Sequence, residues 1–172
     1  MKKLNKAVFL DRDGVINRNS GYVTRIEDFI WLKNVKRTIK FLNKNKFKVF
    51  IITNQSGVAR GFFTEKDVKA LHKWMNLELK KTEAKIDDFF YCPYHPTVGL
   101  KKYKKKSFYR KPNPGMVLKA IKMYKVDVNQ SFMIGDKKTD EICANRSKLK
   151  FYYKKNNLLK DVKIILKKIK SI

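Results

Sequence analysis

Residues 7–16 read Ala7-Val8-Phe9-Leu10-Asp11-Arg12-Asp13-Gly14-Val15-Ile16. An apolar, β-prone run stops at Asp11, a second carboxylate follows two positions later, and Gly14 stands directly behind it. That is the pattern of a buried strand ending in an acidic turn. Residues two apart leave an extended backbone in the same direction, so Asp11 and Asp13 both overhang the strand's carboxyl end, and Gly14 lets the chain turn sharply. Two carboxylates so placed suit a metal, or a nucleophile with its acid–base partner. A solvated Asp-Arg-Asp-Gly turn is the plain alternative. A calcium loop of the EF-hand type also opens Asp-x-Asp, but Arg18 and Tyr22 stand where it needs oxygen ligands.

Outward from this stretch, strands and helices alternate. Asn17 to Asp28 is polar and glycine-bearing, a loop over the strand end. Val35 to Leu42 has the spacing of an amphipathic helix, and Lys48 to Thr53 reads as a second buried strand that ends in Asn54, Gln55 and Ser56. Thr64 and Asp67 resemble a capping box before a helix with Val68, Leu71, Met75 and Leu79 on one stripe. Asp88 to Cys92 is a third strand, and Pro93 to Lys106 is a long basic loop of the kind that is functional or mobile. Pro114 is expected at the first position of a helix that buries Val117, Leu118, Ile121 and Tyr124. A strand at Ser131 to Ile134, a short helix from Thr139, a small strand at Phe151 to Tyr153 and a helix from Leu158 to Ile169 complete the chain.

This order predicts an α/β fold, a Rossmann-like open parallel sheet with helices on both faces and no separate cap domain. Residues 1–172 are expected to form one domain. Ligands of such sheets bind outside the carboxyl ends of the strands. One rule therefore gathers Asp11, Asp13, Thr53, Asn54 and Asp136 at a single rim. Asp11, Asp13 and Asp136 make an oxygen-rich pocket suited to Mg²⁺, with Asp140 one helical turn further on as a supporting carboxylate. Lys111, Arg110 and the Thr53 hydroxyl can offset and hold phosphate, so the set reads as phosphoryl transfer.

Four segments carry a family likeness. AVFLDRDGVI, ITNQSGVARG, RKPNPGM and MIGDKKTD resemble, in order, the four motifs of the haloacid dehalogenase superfamily of phosphotransferases. They are most similar to the branch that holds heptose bisphosphate phosphatases and the histidinol-phosphatase domain. The resemblance implies that Asp11 is the nucleophile and that Asp13 is the acid, then the base. It further implies that Thr53 and Lys111 hold phosphoryl oxygens, and that Mg²⁺ sits on Asp11, the Asp13 backbone carbonyl and Asp136. It puts Asn54, Gln55, Ser56 and Arg60 near the sugar, and gives Asn19, Ser20, Gly21, Tyr22, Arg110 and Lys137 to substrate binding. Arg110 is suited to a distal phosphate, which it can meet with two donors.

Members of that branch often carry structural zinc in the long loop, on a Cys-x-His pair and a later Cys-x-Cys. Here those positions hold Cys92, Tyr94, Ser107 and Tyr109, so zinc is expected to be absent and the loop to be held by packing of Tyr94, Tyr103, Phe108 and Tyr109.

Composition bounds the partners. Lys and Arg number 42 against 15 Asp and Glu, for a net charge of +27. That balance raises nucleic acid as a partner. However, the excess is mostly Lys spread along the chain, whereas nucleic-acid readers cluster Arg with exposed aromatics. The expectation is a small sugar phosphate as substrate and no nucleic-acid partner. Polynucleotide 3′-phosphatase and histidinol-phosphate phosphatase are the competing activities. No apolar run approaches 18 residues and no signal-peptide pattern opens the sequence, so a cytoplasmic, membrane-free monomer is expected. Cys92 and Cys143 are too few for a disulfide framework.

Overall fold

The computed structural model describes residues 4–170, so the extreme ends of the expected 1–172 domain lie outside the described residues. Its strands are β1 (Ala7–Leu10), β2 (Lys48–Asn54), β3 (Asp88–Cys92), β4 (Phe132–Gly135) and β5 (Lys150–Tyr153). They form one sheet in the order β3-β2-β1-β4-β5, every pairing parallel. The helices are α1 (Val35–Lys44), α2 (Gly57–Arg60), α3 (Glu65–Lys80), α4 (Gly115–Tyr124), α5 (Lys138–Arg146) and α6 (Leu158–Lys170).

Alternation along the strands makes two cores. Val8, Leu10, Val49, Ile51, Phe132 and Ile134 join side chains of α1, α3 and α6 on one face. Ala7, Phe9, Phe50, Ile52 and Met133 point the other way, onto Met116, Val117 and Ala120 of α4 and Cys143 and Ala144 of α5. With both faces covered, the central strands are buried along their length, which explains why they read as continuous apolar runs. Strand β1 is central, and the order turns back between it and β4. Leu10 pairs with Ile134, so the two chains leave the sheet side by side at its switch point.

Some boundaries differ from the sequence expectation. The capping box is present, with Thr64 accepting from the Asp67 amide. Pro114 stands just before α4 rather than in its first turn, and Leu118 faces solvent while Met116, Val117 and Ala120 are buried. Helix α2 was not visible in the sequence because one turn has no apolar period to detect. Among the described residues, no helix is long and apolar enough to cross a membrane.

Candidate active site

The acidic turn after β1 is the floor of the site. Asp11 follows the last buried residue of β1, and its amide donates to Ile134 O of β4 at 3.1 Å. Its carboxylate is buried. Oδ1 accepts from Lys111 Nζ at 2.7 Å and from the Arg12 amide at 2.8 Å, and no donor among the described residues meets Oδ2. Burial pushes the Asp11 carboxyl up to about 6, against the pull of Lys111 and with some help from Asp140.

Asp13 is half-buried and held from three sides. Arg12 grips it through Nε and Nη2, while Asn17 Nδ2 at 3.0 Å and Gln55 Nε2 at 3.0 Å donate to its two oxygens. Arg12 is fully buried and reaches on to the Val23 carbonyl at 2.6 Å, tying the acidic turn to the loop above it. Neither Arg12 nor Asn17 figured among the residues expected at the site. Their signal was weak: a cation between two carboxylates, and an Asn one turn later. Gln55 also donates to Thr53 Oγ1 at 2.8 Å, which leaves the buried Thr53 hydroxyl its proton to give.

Lys111 arrives from a distant loop and is buried with its charge. It meets Asp140 Oδ1 at 2.6 Å as well as Asp11, and donates to Ile52 O at 2.8 Å. Desolvation works against its charge, but Asp11 and Asp140 outweigh that and raise it above the ordinary lysine value. Asn54 fixes the backbone there, donating to Lys111 O and accepting from its amide, both at 3.0 Å. The Asn54 side chain, expected near the sugar, is therefore engaged in positioning Lys111.

Asp136 follows β4 and is exposed. Asp11, Asp136 and Asp140 each offer a carboxylate oxygen within 4.8 Å of the others. Gly14, at φ +93, makes this possible, because a Cβ there would run into the Asp136 carboxylate. Among the described residues the site thus holds four carboxylates, on Asp11, Asp13, Asp136 and Asp140, against two buried cations, Arg12 and Lys111. Carboxylates outnumber these cations, and hard oxygen donors of this kind suit Mg²⁺. Asp140 has both oxygens engaged, one by Lys111 and one by the Lys137 amide at 3.1 Å. The donors left for a cation are Asp11 and Asp136.

The remaining expected residues are exposed or half-buried. Asn19, Ser20, Gly21 and Tyr22 are exposed in the loop over the strand end, and Lys137 and Arg60 are exposed at the starts and ends of their helices. Tyr22 lies against Phe62, ring centres 4.8 Å apart, with the Arg60 guanidinium 5.9 Å from its ring. Ser56 is half-buried before α2. Arg110 is half-buried, and desolvation followed by the neighbouring Arg60 lowers it from its ordinary value. The two guanidinium groups of Arg60 and Arg110 are thus close enough to act on each other.

The four zinc-ligand positions offer the wrong donors. Burial pushes the Cys92 thiol up, against hydrogen bonds from the Tyr94 amide and Ser107. The only nearby imidazole, His95, spends Nδ1 on the amides of Thr97 at 3.3 Å and Val98 at 3.2 Å. One thiol, two phenols and an alcohol do not make a zinc centre. Of the expected aromatic packing, Tyr94 meets Tyr103 with ring centres 6.0 Å apart and Phe108 meets Tyr109 at 6.1 Å, two separate pairs rather than one cluster.

Comparison with known proteins agrees with this geometry. Residues 6–168 match the family described as polynucleotide kinase 3 phosphatase. The D-glycero-beta-D-manno-heptose-1,7-bisphosphate 7-phosphatase of Rhodopseudomonas palustris is 50% identical over 134 residues, covering 78% of this chain and 74% of that one. The enzyme of the same name from Escherichia coli K12 is 40% identical over 140 residues, covering 81% and 73%. Among solved structures, the D,D-heptose 1,7-bisphosphate phosphatase of B. bronchiseptica, complexed with magnesium and phosphate, superposes with a TM-score of 0.80. It shares 27% identity and is covered to 99%, against 95% of this chain. With its parallel sheet, its acidic rim and relatives at this level of identity, the chain belongs to the haloacid dehalogenase superfamily of phosphatases, in the branch that contains the heptose bisphosphate phosphatases.

Proposed function

We propose that this protein is a Mg²⁺-dependent phosphatase that removes the 7-phosphate of D-glycero-D-manno-heptose 1,7-bisphosphate, through an aspartyl-phosphate on Asp11. The observation that carries the reading is the buried Asp11, with Oδ2 free and Oδ1 fixed by Lys111, beside an Asp13 held by three donors. An anionic oxygen held in one orientation is what in-line attack on phosphorus needs. As the Asp11 oxygen bonds to phosphorus, the ester P–O bond breaks and Asp13 gives its proton to the departing alkoxide. Asp13 then takes a proton from water as that water attacks phosphorus, the bond to Asp11 breaks, and inorganic phosphate leaves. Lys111 and the Thr53 hydroxyl stabilise the phosphoryl oxygens. Asp11, Asp136 and the Asp13 backbone carbonyl would hold Mg²⁺, which would supply positive charge to the transferring group.

The Arg110 and Arg60 pair favours a substrate with a second anionic group at the far end, because guanidinium forks match phosphate geometry. The exposed Asn19, Ser20, Gly21, Tyr22 and Lys137, with the half-buried Ser56, fit a polyhydroxylated sugar between the two ends. The one domain works as a cytoplasmic monomer in nucleotide-heptose synthesis. A second reading, a polynucleotide 3′-phosphatase, is favoured by the net charge of +27 and by the name of the matching family. Phosphate release from heptose bisphosphate, histidinol phosphate and 3′-phosphorylated DNA, each with Mg²⁺, tests the proposal. The heptose compound is expected to have the highest kcat/KM by at least tenfold; preference for either of the others overturns it.

A further inference from the structure

Residues 93–106 lead from β3 to the segment that carries Arg110 and Lys111, and the protein fastens them with its own groups. Glu65, in the first turn of α3, accepts from two tyrosines at once. Tyr91 Oη of β3 donates to Oε2 at 2.7 Å, and Tyr103 Oη, from within the loop, donates to Oε1 at 3.0 Å. The loop closes on itself where the His95 amide donates to Tyr103 O at 3.1 Å, and its tip is tied to α2 by the Leu100 amide on Ala59 O at 2.7 Å. The closed loop presents the Tyr94 carbonyl to Arg110 Nη1 at 2.9 Å. Thus one carboxylate joins helix, strand and loop, and the loop in turn orients the guanidinium.

We propose that Glu65 is a positioning residue, a fastening built from side chains that does the work of a metal, so that this loop and Arg110 are held without zinc. Hydrogen bonds to an ionised acceptor are about twice as strong as neutral ones, and two of them on one half-buried carboxylate make a cross-link between three elements. Cys92 and Ser107, which contact each other, keep the base of the loop together without supplying a metal's donor set.

Trypsin reads the loop directly, since lysines occupy positions 101, 102, 104, 105 and 106. The purified full chain is expected to contain no stoichiometric zinc, and cleavage in the loop should not change when a zinc chelator is added. Glu65→Gln and Tyr103→Phe should each be cut about tenfold faster there, because local opening controls native-state cleavage. Glu65→Gln should also raise KM for heptose bisphosphate severalfold while leaving KM for p-nitrophenyl phosphate, which has no second anionic end, within twofold. That last arm rests on the function proposed above. If the unaltered enzyme does not turn over heptose bisphosphate, that function is wrong, and metal content and cleavage alone judge the fastening. One zinc per chain with chelator-accelerated cleavage overturns the proposal. So does cleavage of both variants at the unaltered rate, and Tyr103→Phe alone decides should Glu65→Gln fail to fold.

Discussion

Lys111 Nζ lies 2.7 Å from Asp11 Oδ1, although 100 residues separate them, and among the described residues it is the only cation that touches the proposed nucleophile. The same ammonium meets Asp140 at 2.6 Å, so three buried charges form one unit with a single positive member. Removing that member leaves two buried carboxylates facing each other. Lys111→Met is therefore expected to lower stability by about 3–5 kcal/mol, as found when one partner of a buried ion pair is deleted, and to abolish turnover. Urea unfolding of the metal-free protein measures it; a loss below about 1 kcal/mol would show that the pair is solvated.

Asp11→Asn separates chemistry from folding. The amide keeps the size of the carboxylate and can still accept from Lys111 and the Arg12 amide, while burial no longer disfavours a charge at that position. The variant should fold with a melting temperature near the unaltered one and lose ~10⁴-fold or more in kcat, since an amide cannot form the acyl phosphate. Activity within tenfold of the unaltered enzyme would exclude covalent catalysis through Asp11.

The acidic rim was legible because each member sits where an apolar strand stops, and strand ends in a parallel sheet share one edge. That helices cover both faces of the sheet was equally readable, because its central strands are continuous apolar runs. What could not be read was the direction in which polar side chains near the rim turn. Asn54 and Gln55 follow β2 and look substrate-facing in the sequence, yet one clamps the Lys111 backbone and the other braces Asp13 and Thr53. The bonds to Asp13 and to the Lys111 backbone join residues 42 and 57 positions apart, which local periodicity cannot see. Leu118 was misassigned for a related reason: an apolar residue at the edge of a helical stripe faces the core or the solvent according to how the helix rolls on the sheet.

Gly14→Ala tests the approach of Asp136. The residue holds φ +93, and its missing side chain is the space that the Asp136 carboxylate fills. Alanine there should cost about 1 kcal/mol for the backbone alone. Because the methyl group must displace Asp136, the Mg²⁺ concentration for half-maximal activity should rise roughly tenfold or more. Titrating activity with Mg²⁺ measures the second effect, and an unchanged midpoint would remove Asp136 from the metal's donors.

His72 gives the folded protein an acid sensitivity separate from catalysis. Its ring is buried under Phe89, stacked with centres 4.4 Å apart, and its Nε2 has no partner among the described residues. Burial, and then the nearby charge of Arg12, lowers it from 6.5 to about 3. The unfolded chain takes up a proton at this residue below 6.5, and the folded one does not until about 3. Between those values the unfolded state holds the extra proton, so the contribution is intact above 6.5 and is lost progressively as pH falls. One pH unit below 6.5 the cost is about 1.4 kcal/mol. His72→Phe keeps an aromatic ring against Phe89 without a titrating nitrogen, and other acid-sensitive groups act equally in both proteins. Urea unfolding near neutrality and again at about pH 5.5 should therefore show the unaltered protein losing about 1.4 kcal/mol more than the variant. Equal losses would mean that His72 accepts its proton in the folded state, and hence that its pocket admits water beside Arg12.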